Sequence, residues 1–166
     1  GGGTVLWTNP WGEQAFYDDI EKREDGGTPG FLQTIKAAQA IKLKDEMGVS
    51  NIEKRETHLR KILMAGISDI PGVNILEPNI KNRLCIVSFY VTNLHHNLIV
   101  RLLDNKFGIQ ARGGCSCAGT YGHILLNVDK QQSQQIVNEV NNGNLSRKPG
   151  WVRISLHPTN TDAEAR

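Results

Sequence analysis

The sequence has few cysteines, little excess charge of one sign and no long apolar run. Its 166 residues include three cysteines, and 19 basic against 17 acidic side chains leave a net charge of +2. So small a charge argues against a protein that mainly coats nucleic acid or an anionic membrane, and no apolar run approaches the roughly 20 residues that span a bilayer. Three cysteines cannot all pair with one another, which argues against a disulfide framework. We therefore expect a reducing, cytoplasmic compartment.

The composition and length of the chain are typical of a folded domain. Apolar residues make up 39% of the chain and charged residues 22%, a balance that supports a packed core. The length corresponds to one domain or at most two small ones. The chain opens on a glycine run and stops at DAEAR, which resembles the first turn of a helix. We expect it to be a piece of a longer protein.

Apolar residues at helical spacing predict two long helices in the first half. Thr28 is predicted to cap the first helix, and Gly48 follows its end. The second begins with a capping pattern at Ser50 and ends near Ser68. The polar, glycine-rich residues 18–30 are predicted to form a loop before both helices.

The second half alternates short strands with helices. Residues 84–91 (LCIVSFYV) are apolar almost throughout, which predicts a strand covered on both faces. Other strands are predicted near residues 4–8, 73–76, 109–112 and 151–156, with further helices near 93–107 and 131–142. Together these elements predict an α+β fold, in which a small and mostly antiparallel sheet has helices packed on one face and is preceded by two long helices.

The glycine-rich segment 26–30 (GGTPG) has two interpretations. Glycines before a helix leave backbone N–H groups and the positive end of the helix dipole free for a phosphate, and the Thr28 hydroxyl adds a donor. The simpler interpretation is a turn with Thr28 as helix cap, since helix caps are commoner than anion sites.

The segment 112–119 (RGGCSCAG) carries two cysteines after a predicted strand. A cysteine near Arg112 or a helix start would have a lowered pKa and act as a nucleophile. The alternatives are a metal ligand or a packed thiol. No second cysteine or histidine pair at ligand spacing accompanies Cys115 and Cys117, so we expect no metal site. Cys85, inside an apolar strand, is expected to be a packed thiol.

Arg153 lies on the alternating strand near residues 151–156, opposite the apolar set. Its guanidinium suits a carboxylate, so it is a candidate substrate clamp. A solvated arginine on a strand is the alternative.

Four segments in order resemble the class V aminotransferase-like enzymes: GGGTV at 1–5, EDGGTPG at 24–30, RGGCSCAG at 112–119 and RISLHPTNT at 153–161. This group of fold-type I enzymes uses pyridoxal 5′-phosphate (PLP) and includes cysteine desulfurases and selenocysteine lyases. The resemblance implies that Thr28 reaches the cofactor phosphate of the partner subunit in a homodimer. It also implies that Arg153 holds the substrate α-carboxylate, that Arg112 precedes the catalytic loop and binds substrate, and that Cys117 is the nucleophile.

The resemblance covers only the C-terminal part of the family's catalytic unit. Residues 1–47 would end the large PLP domain and carry the phosphate loop, residues 48–70 would form a connecting helix, and residues 71–166 would form the C-terminal small α+β domain. No segment resembles the family's Ser-x-His-Lys site, which supplies the lysine that binds PLP. We therefore expect this chain to be inactive alone.

Three functions remain open at this point. The first is a cysteine desulfurase-like enzyme, in which Cys117 attacks the sulfur of L-cysteine, keeps it as a persulfide and leaves alanine, with a sulfur-acceptor protein as a further partner. The second is a class V aminotransferase or another PLP-dependent lyase acting on a different amino acid. The third is a non-catalytic α+β binding module. The sequence does not distinguish the roles of Cys115 and Cys117.

Overall fold

The computed structural model describes residues 2–115 and 117–166, so that Gly1 and Ser116 of the motifs above lie outside the described residues. The chain divides into two compact units, Gly1–Gly48 and Val49–Arg166. Helices and small antiparallel sheets confirm the predicted α+β class. The division into parts 1–47, 48–70 and 71–166 stays a prediction. Within the described ranges, no helix is long and apolar enough to cross a membrane.

The first unit begins with a hairpin of β1 (Val5–Thr8) and β2 (Gln14–Phe16). The two strands pair antiparallel with Val5 opposite Phe16. The connection turns around Asn9, whose side-chain oxygen accepts hydrogen bonds from the backbone N–H groups of Trp11 and Glu13 at 3.0 and 3.1 Å. The sequence predicted β1 but not β2, because three residues without clear alternation give no strand signal.

Two helices follow, α1 (Ile20–Glu24) and α2 (Phe31–Met47). The short helix α1 lies in the predicted loop and is capped by the Asp19 side chain. The prediction that Thr28 caps α2 is wrong. The cap is Gly30, whose carbonyl accepts the first helical bond from the Thr34 N–H at 2.9 Å. Pro29 accepts from Phe31 in a tighter turn, so the helix begins two residues later than the sequence indicated.

The second unit contains a four-stranded sheet in the order β3-β4-β6-β5, with every neighbouring pair antiparallel. Its elements in chain order are α3 (Val49–Ser68), β3 (Val73–Ile75), β4 (Ile86–Val91), α4 (His96–Phe107), β5 (Arg112–Gly114), α5 (Gly119–Leu125), α6 (Lys130–Asn141) and β6 (Trp151–Ser155). The helix α3 begins directly after Gly48, so Ser50 lies inside it and the predicted cap there is wrong.

One face of this sheet carries the core. Val87 and Phe89 of β4 and Val152 of β6 pack with Ile67 of α3, and apolar residues of α4 complete the cluster. The other face of β4 is open: Ile86 is 36% exposed, and with Ser88 it lines a groove. The prediction that both faces of this strand are covered is therefore wrong for the described chain. Its sequence is nevertheless apolar on both faces, as in strands that are buried on both sides.

An ion-pair cluster fastens the segment after β6 to α3. The Asp162 carboxylate accepts from Arg55 at 2.7 Å and lies 2.7 Å from the Nε2 atom of His58. Arg55 also donates to the Asn160 carbonyl at 2.6 Å, and Ala165 is buried against Leu59. These hydrogen bonds to His58 and then Arg55 lower the pKa of Asp162 below its ordinary value of 3.8.

We expect Asp162→Asn to destabilise this unit at neutral pH. Because the folded pKa lies below the unfolded one, the contribution of Asp162 is complete above pH 3.8 and is lost as the pH falls through the folded value. Urea unfolding followed by circular dichroism would show a gap between wild type and variant at pH 7 that narrows towards pH 3. Asp69→Asn, at an exposed position, is the matched control. A gap that stays constant down to pH 3 would contradict the role given to this carboxylate.

Candidate functional site

Two arginines lie opposite each other on adjacent strands. Arg112 on β5 pairs with Arg153 on β6, and Arg153 also pairs with Ser88 on β4. Residues directly opposite in an antiparallel pair point to the same face. This is the face opposite the buried Val152. In the described part of the chain, neither guanidinium forms an ion pair with an acidic side chain. The sequence predicted that Arg153 lies on the face opposite the apolar residues of its strand. The strand register shows that Arg112 lies on the same face.

Two glycines, Gly113 and Gly150, leave room for one histidine at the end of these strands. His96, at the start of α4, is only 8% exposed. A Cβ atom at Gly150 would lie 2.6 Å from its ring, and one at Gly113 would lie 3.2 Å from it. Burial lowers the pKa of His96, and the nearby His95 and Lys148 lower it further, so the ring is neutral at pH 7. A neutral imidazole thus fills the space beside β5. This strand occupies residues 112–114, so the prediction of a strand at 109–112 is wrong in its bounds.

The candidate nucleophile lies shortly after β5. Beside it, the Ala118 N–H donates to the Cys115 carbonyl at 2.8 Å. Cys117 is an exposed free thiol whose backbone has φ of 64°, a left-handed conformation that non-glycine residues rarely adopt. Such strain is concentrated at functional positions. Cys117 is therefore presented to solvent three residues after the strand that carries Arg112.

Cys115 has a different environment. Its thiol is half-buried and donates to the Pro149 carbonyl at 2.9 Å. Burial raises the pKa of Cys115, and the positive charge of Lys148 opposes that rise only in part. Cys115 is therefore protonated at neutral pH.

Cys85 is the packed thiol that the sequence predicted. It is 2% exposed, and burial and then Glu56 raise its pKa. Over residues 2–115 and 117–166, no group of three histidine, cysteine or acidic residues is placed to hold a metal ion.

Thr28 belongs to the first unit, whereas Arg112, Cys117 and Arg153 belong to the second. It is exposed and lies two residues before Gly30, the cap of the 17-residue helix α2. Gly30 offers no side-chain acceptor to the N–H groups of the first turn. An exposed hydroxyl beside an uncapped helix start is a donor set that fits a phosphate. The structure removes the competing role of Thr28 as a helix cap.

Sequence reasoning missed His96, Lys148 and Pro149. The glycine pair 113–114 and Gly150 were the available signal, because glycines flanking two paired strands indicate a close approach by another group. Nothing in the sequence identifies His96 as that group, since it comes from a helix in a different part of the chain.

We expect the three thiols to react in a fixed order. The raised pKa values of Cys115 and Cys85 leave little thiolate at pH 7.5, whereas Cys117 is exposed. Iodoacetamide should therefore label Cys117 about tenfold faster than Cys115, with Cys85 last. Peptide mass spectrometry over a time course measures the three rates. Labelling in urea, where all three should react alike, is the control, and equal native rates for Cys115 and Cys117 would refute this description.

The whole chain, residues 1–166, matches the family model described as aminotransferase class-V. It is 33% identical over 118 residues to a probable cysteine desulfurase 2 of Mycobacterium leprae, which covers 70% of this chain and 28% of the relative. A probable cysteine desulfurase of Synechocystis is 27% identical over 124 residues, with the same coverage.

Solved structures give the same result. The apo structure of a cysteine desulfurase from Thermococcus onnurineus superposes with a TM-score of 0.63 at 27% identity, over 99% of this chain and 35% of the other. The chain thus spans about a third of the length of the proteins it matches, or less. A match over every residue, together with the fold, means that the chain belongs to the aminotransferase class-V family.

Proposed function

We propose that this chain is the C-terminal part of a PLP-dependent enzyme of the cysteine desulfurase type, which removes sulfur from L-cysteine. Relatives named as probable cysteine desulfurases support this reaction. Their greater length supports the proposal that this chain is one part of a longer enzyme. The lysine that binds PLP would come from a segment outside this chain. The chain would supply groups that bind substrate, accept sulfur and hold the cofactor phosphate.

The observation that carries this proposal is the cross-strand pair Arg112 and Arg153. Like charges directly opposite each other repel, and these two have no acidic partner in the described residues. A carboxylate placed over the pair would offset the repulsion and accept charge-assisted hydrogen bonds. Arg153 is half-buried, so its charge is less screened than that of the exposed Arg112. Arg153 would therefore bind the α-carboxylate, and Arg112 would increase the positive potential beside it.

Cys117 would take the sulfur. Its exposed thiol lies three residues after the end of β5, the strand that carries Arg112. The Cys117 thiolate would attack the sulfur of L-cysteine, form a new S–S bond and keep the sulfur as a persulfide, while alanine remains. PLP, when bound, supplies the electron sink for the broken carbon–sulfur bond. An exposed persulfide could then pass its sulfur to an acceptor protein.

Thr28 would bind the cofactor phosphate. Its exposed hydroxyl and the N–H groups at the start of α2 form a donor set for a dianion, which the helix dipole also favours. In a homodimer this phosphate would belong to the cofactor of the partner subunit.

We expect Arg153→Gln in the full-length enzyme to lower kcat/KM for L-cysteine by about 10- to 100-fold, mainly through KM, because a charge-assisted hydrogen bond to the carboxylate is lost. Arg153→Lys should recover part of this loss, since it keeps the charge but not the planar fork. Steady-state alanine production is the measurement. Arg101→Gln, the same change on an exposed part of α4, is the matched control. An unchanged KM for L-cysteine would remove Arg153 from the substrate site.

We expect Cys117→Ser to abolish persulfide formation in the full-length enzyme, because a hydroxyl cannot keep the transferred sulfur. Mass spectrometry after incubation with L-cysteine measures the added sulfur atom, and Cys85→Ala is the control that should still gain it. Persulfide on the Cys117→Ser protein would overturn the assignment. Production of a keto acid instead of alanine would indicate an aminotransferase.

A further inference from the structure

An apolar groove on the open face of the sheet has no role in the proposed reaction. Its volume is about 390 Å³, and Trp151 of β6 lines it together with Ile86 and Ser88 of β4. Ser88 lies directly opposite Arg153 in the pairing of β4 with β6. Alternate residues of a strand share a face, and so do residues directly opposite each other. The groove therefore lies on the face of the sheet that carries Arg153.

Helix α5 forms one wall of this groove. Tyr121 and Leu125 line the groove, and Gly122 between them is buried. A Cβ atom at Gly122 would lie 3.2 Å from the Trp151 ring, so the glycine lets the helix approach the sheet closely. This close packing positions Tyr121 and Leu125 beside the strands.

The segment between β3 and β4 forms the other wall, to which it contributes Ile80 and Leu84. Arg83 holds this segment in place, because its guanidinium donates to three backbone carbonyls. They are the carbonyls of Leu76, Glu77 and Ile80. Since these hydrogen bonds engage Arg83 with the backbone, Arg153 is the arginine better placed to receive a carboxylate from a ligand.

Most of the groove is lined by apolar side chains that water reaches. Ile80, Leu84, Ile86 and Tyr121 are all exposed, and they lie together rather than scattered over the surface. Contiguous exposed apolar surface marks binding sites. The volume falls in the range of small-molecule sites, and an apolar cavity of about 150 Å³ already holds a benzene ring. The groove therefore has room for an aromatic ring on a short aliphatic chain.

The two sides of the groove differ in charge. On the β6 side, Arg153 has no acidic ion-pair partner among the described residues. On the β3 side, Glu77 lines the groove just beyond the end of the strand. Because β4 separates β3 from β6, these two sides lie about 10 Å apart. A carboxylate is therefore attracted to the Arg153 side and repelled from the β3 side.

We propose that the groove and Arg153 form one binding site for carboxylic acids that have an apolar tail. The Arg153 guanidinium binds the carboxylate through charge-assisted hydrogen bonds, and the tail lies along Trp151 and Ile86 towards β3. The inference rests on the proposed function in one respect, the binding of the L-cysteine carboxylate by Arg153. Given that role, such an acid excludes L-cysteine and inhibits the enzyme competitively.

The test titrates this chain with 4-phenylbutyrate in a calorimeter. Butyrate, which lacks the ring, and 4-phenylbutan-1-ol, which lacks the charge, are the two comparison ligands. Each should bind at least about tenfold more weakly than 4-phenylbutyrate, because butyrate loses the burial of the ring and the alcohol loses a charge-assisted hydrogen bond. Equal affinities for the acid and the alcohol would overturn the proposal.

Three variants locate the bound acid. Ile86→Thr keeps a β-branched side chain in β4 and should weaken binding of 4-phenylbutyrate at least about fourfold. Ile124→Thr, the same change at an exposed position of α5 outside the groove, is the matched control and should leave the affinity unchanged. Arg153→Gln should reduce the affinity for the acid to that for the alcohol, which a general loss of structure would not do. Equal weakening by Ile86→Thr and Ile124→Thr would overturn the proposal.

The full-length enzyme provides the second measurement. There, 4-phenylbutyrate should raise KM for L-cysteine and leave kcat unchanged. Absence of inhibition, despite binding to this chain, would mean that another segment of the enzyme fills the groove and would overturn the proposal. Failure of the proposed function is distinguishable: if L-cysteine yields no alanine while the acid still binds through Arg153 and Ile86, the reaction is rejected and the binding site stands.

Discussion

The pairing of β5 with β6 is the constraint on which the arrangement of the candidate site depends. Arg112 opposes Arg153, Gly113 opposes Val152, and Gly114 opposes Trp151. Val152 and Trp151 are both buried, on opposite faces of β6, so a slip of one residue would exchange these faces and is strongly disfavoured. Burial of these two apolar side chains therefore fixes the register that places Arg112 opposite Arg153. Because β5 ends at Gly114 in this register, it also fixes where the segment with the two cysteines begins.

The same strand ends show how packing shapes reactive groups. His96 occupies the space left by Gly113 and Gly150, while Cys115 donates to Pro149 in the loop before β6. The two cysteines thus follow one strand and still differ in exposure: one anchored and half-buried, the other strained and exposed. Burial is the main cause of the raised pKa of Cys115.

Several features of the fold could be predicted because the signal is local. Helical spacing and Gly48 located the end of α2, and strict alternation located β6 with Arg153 opposite its apolar residues. The start of α2 was misplaced because Thr28 before Pro29 has the composition of a cap, and only the hydrogen bond accepted by Gly30 identifies the real one. The strand β5 was misplaced because two glycines carry no propensity for a strand, and their place in the sheet comes from pairing with β6.

The sequence by itself determined the α+β class, the family resemblance and the residue types that could bind a carboxylate, a phosphate or sulfur, because motifs and periodicity are properties of neighbouring residues. Only the tertiary structure decided that Arg112 and Arg153 form a cross-strand pair with no acidic partner among the described residues, that His96 packs against Gly113 and Gly150, and that Cys115 and Cys117 differ in burial. These facts depend on strand register and on contacts between residues far apart in the chain, such as His96 with Lys148, 52 positions later, and Arg112 with Arg153, 41 positions later. Such contacts are set by the burial of apolar surface over the whole unit, which no short stretch of sequence records.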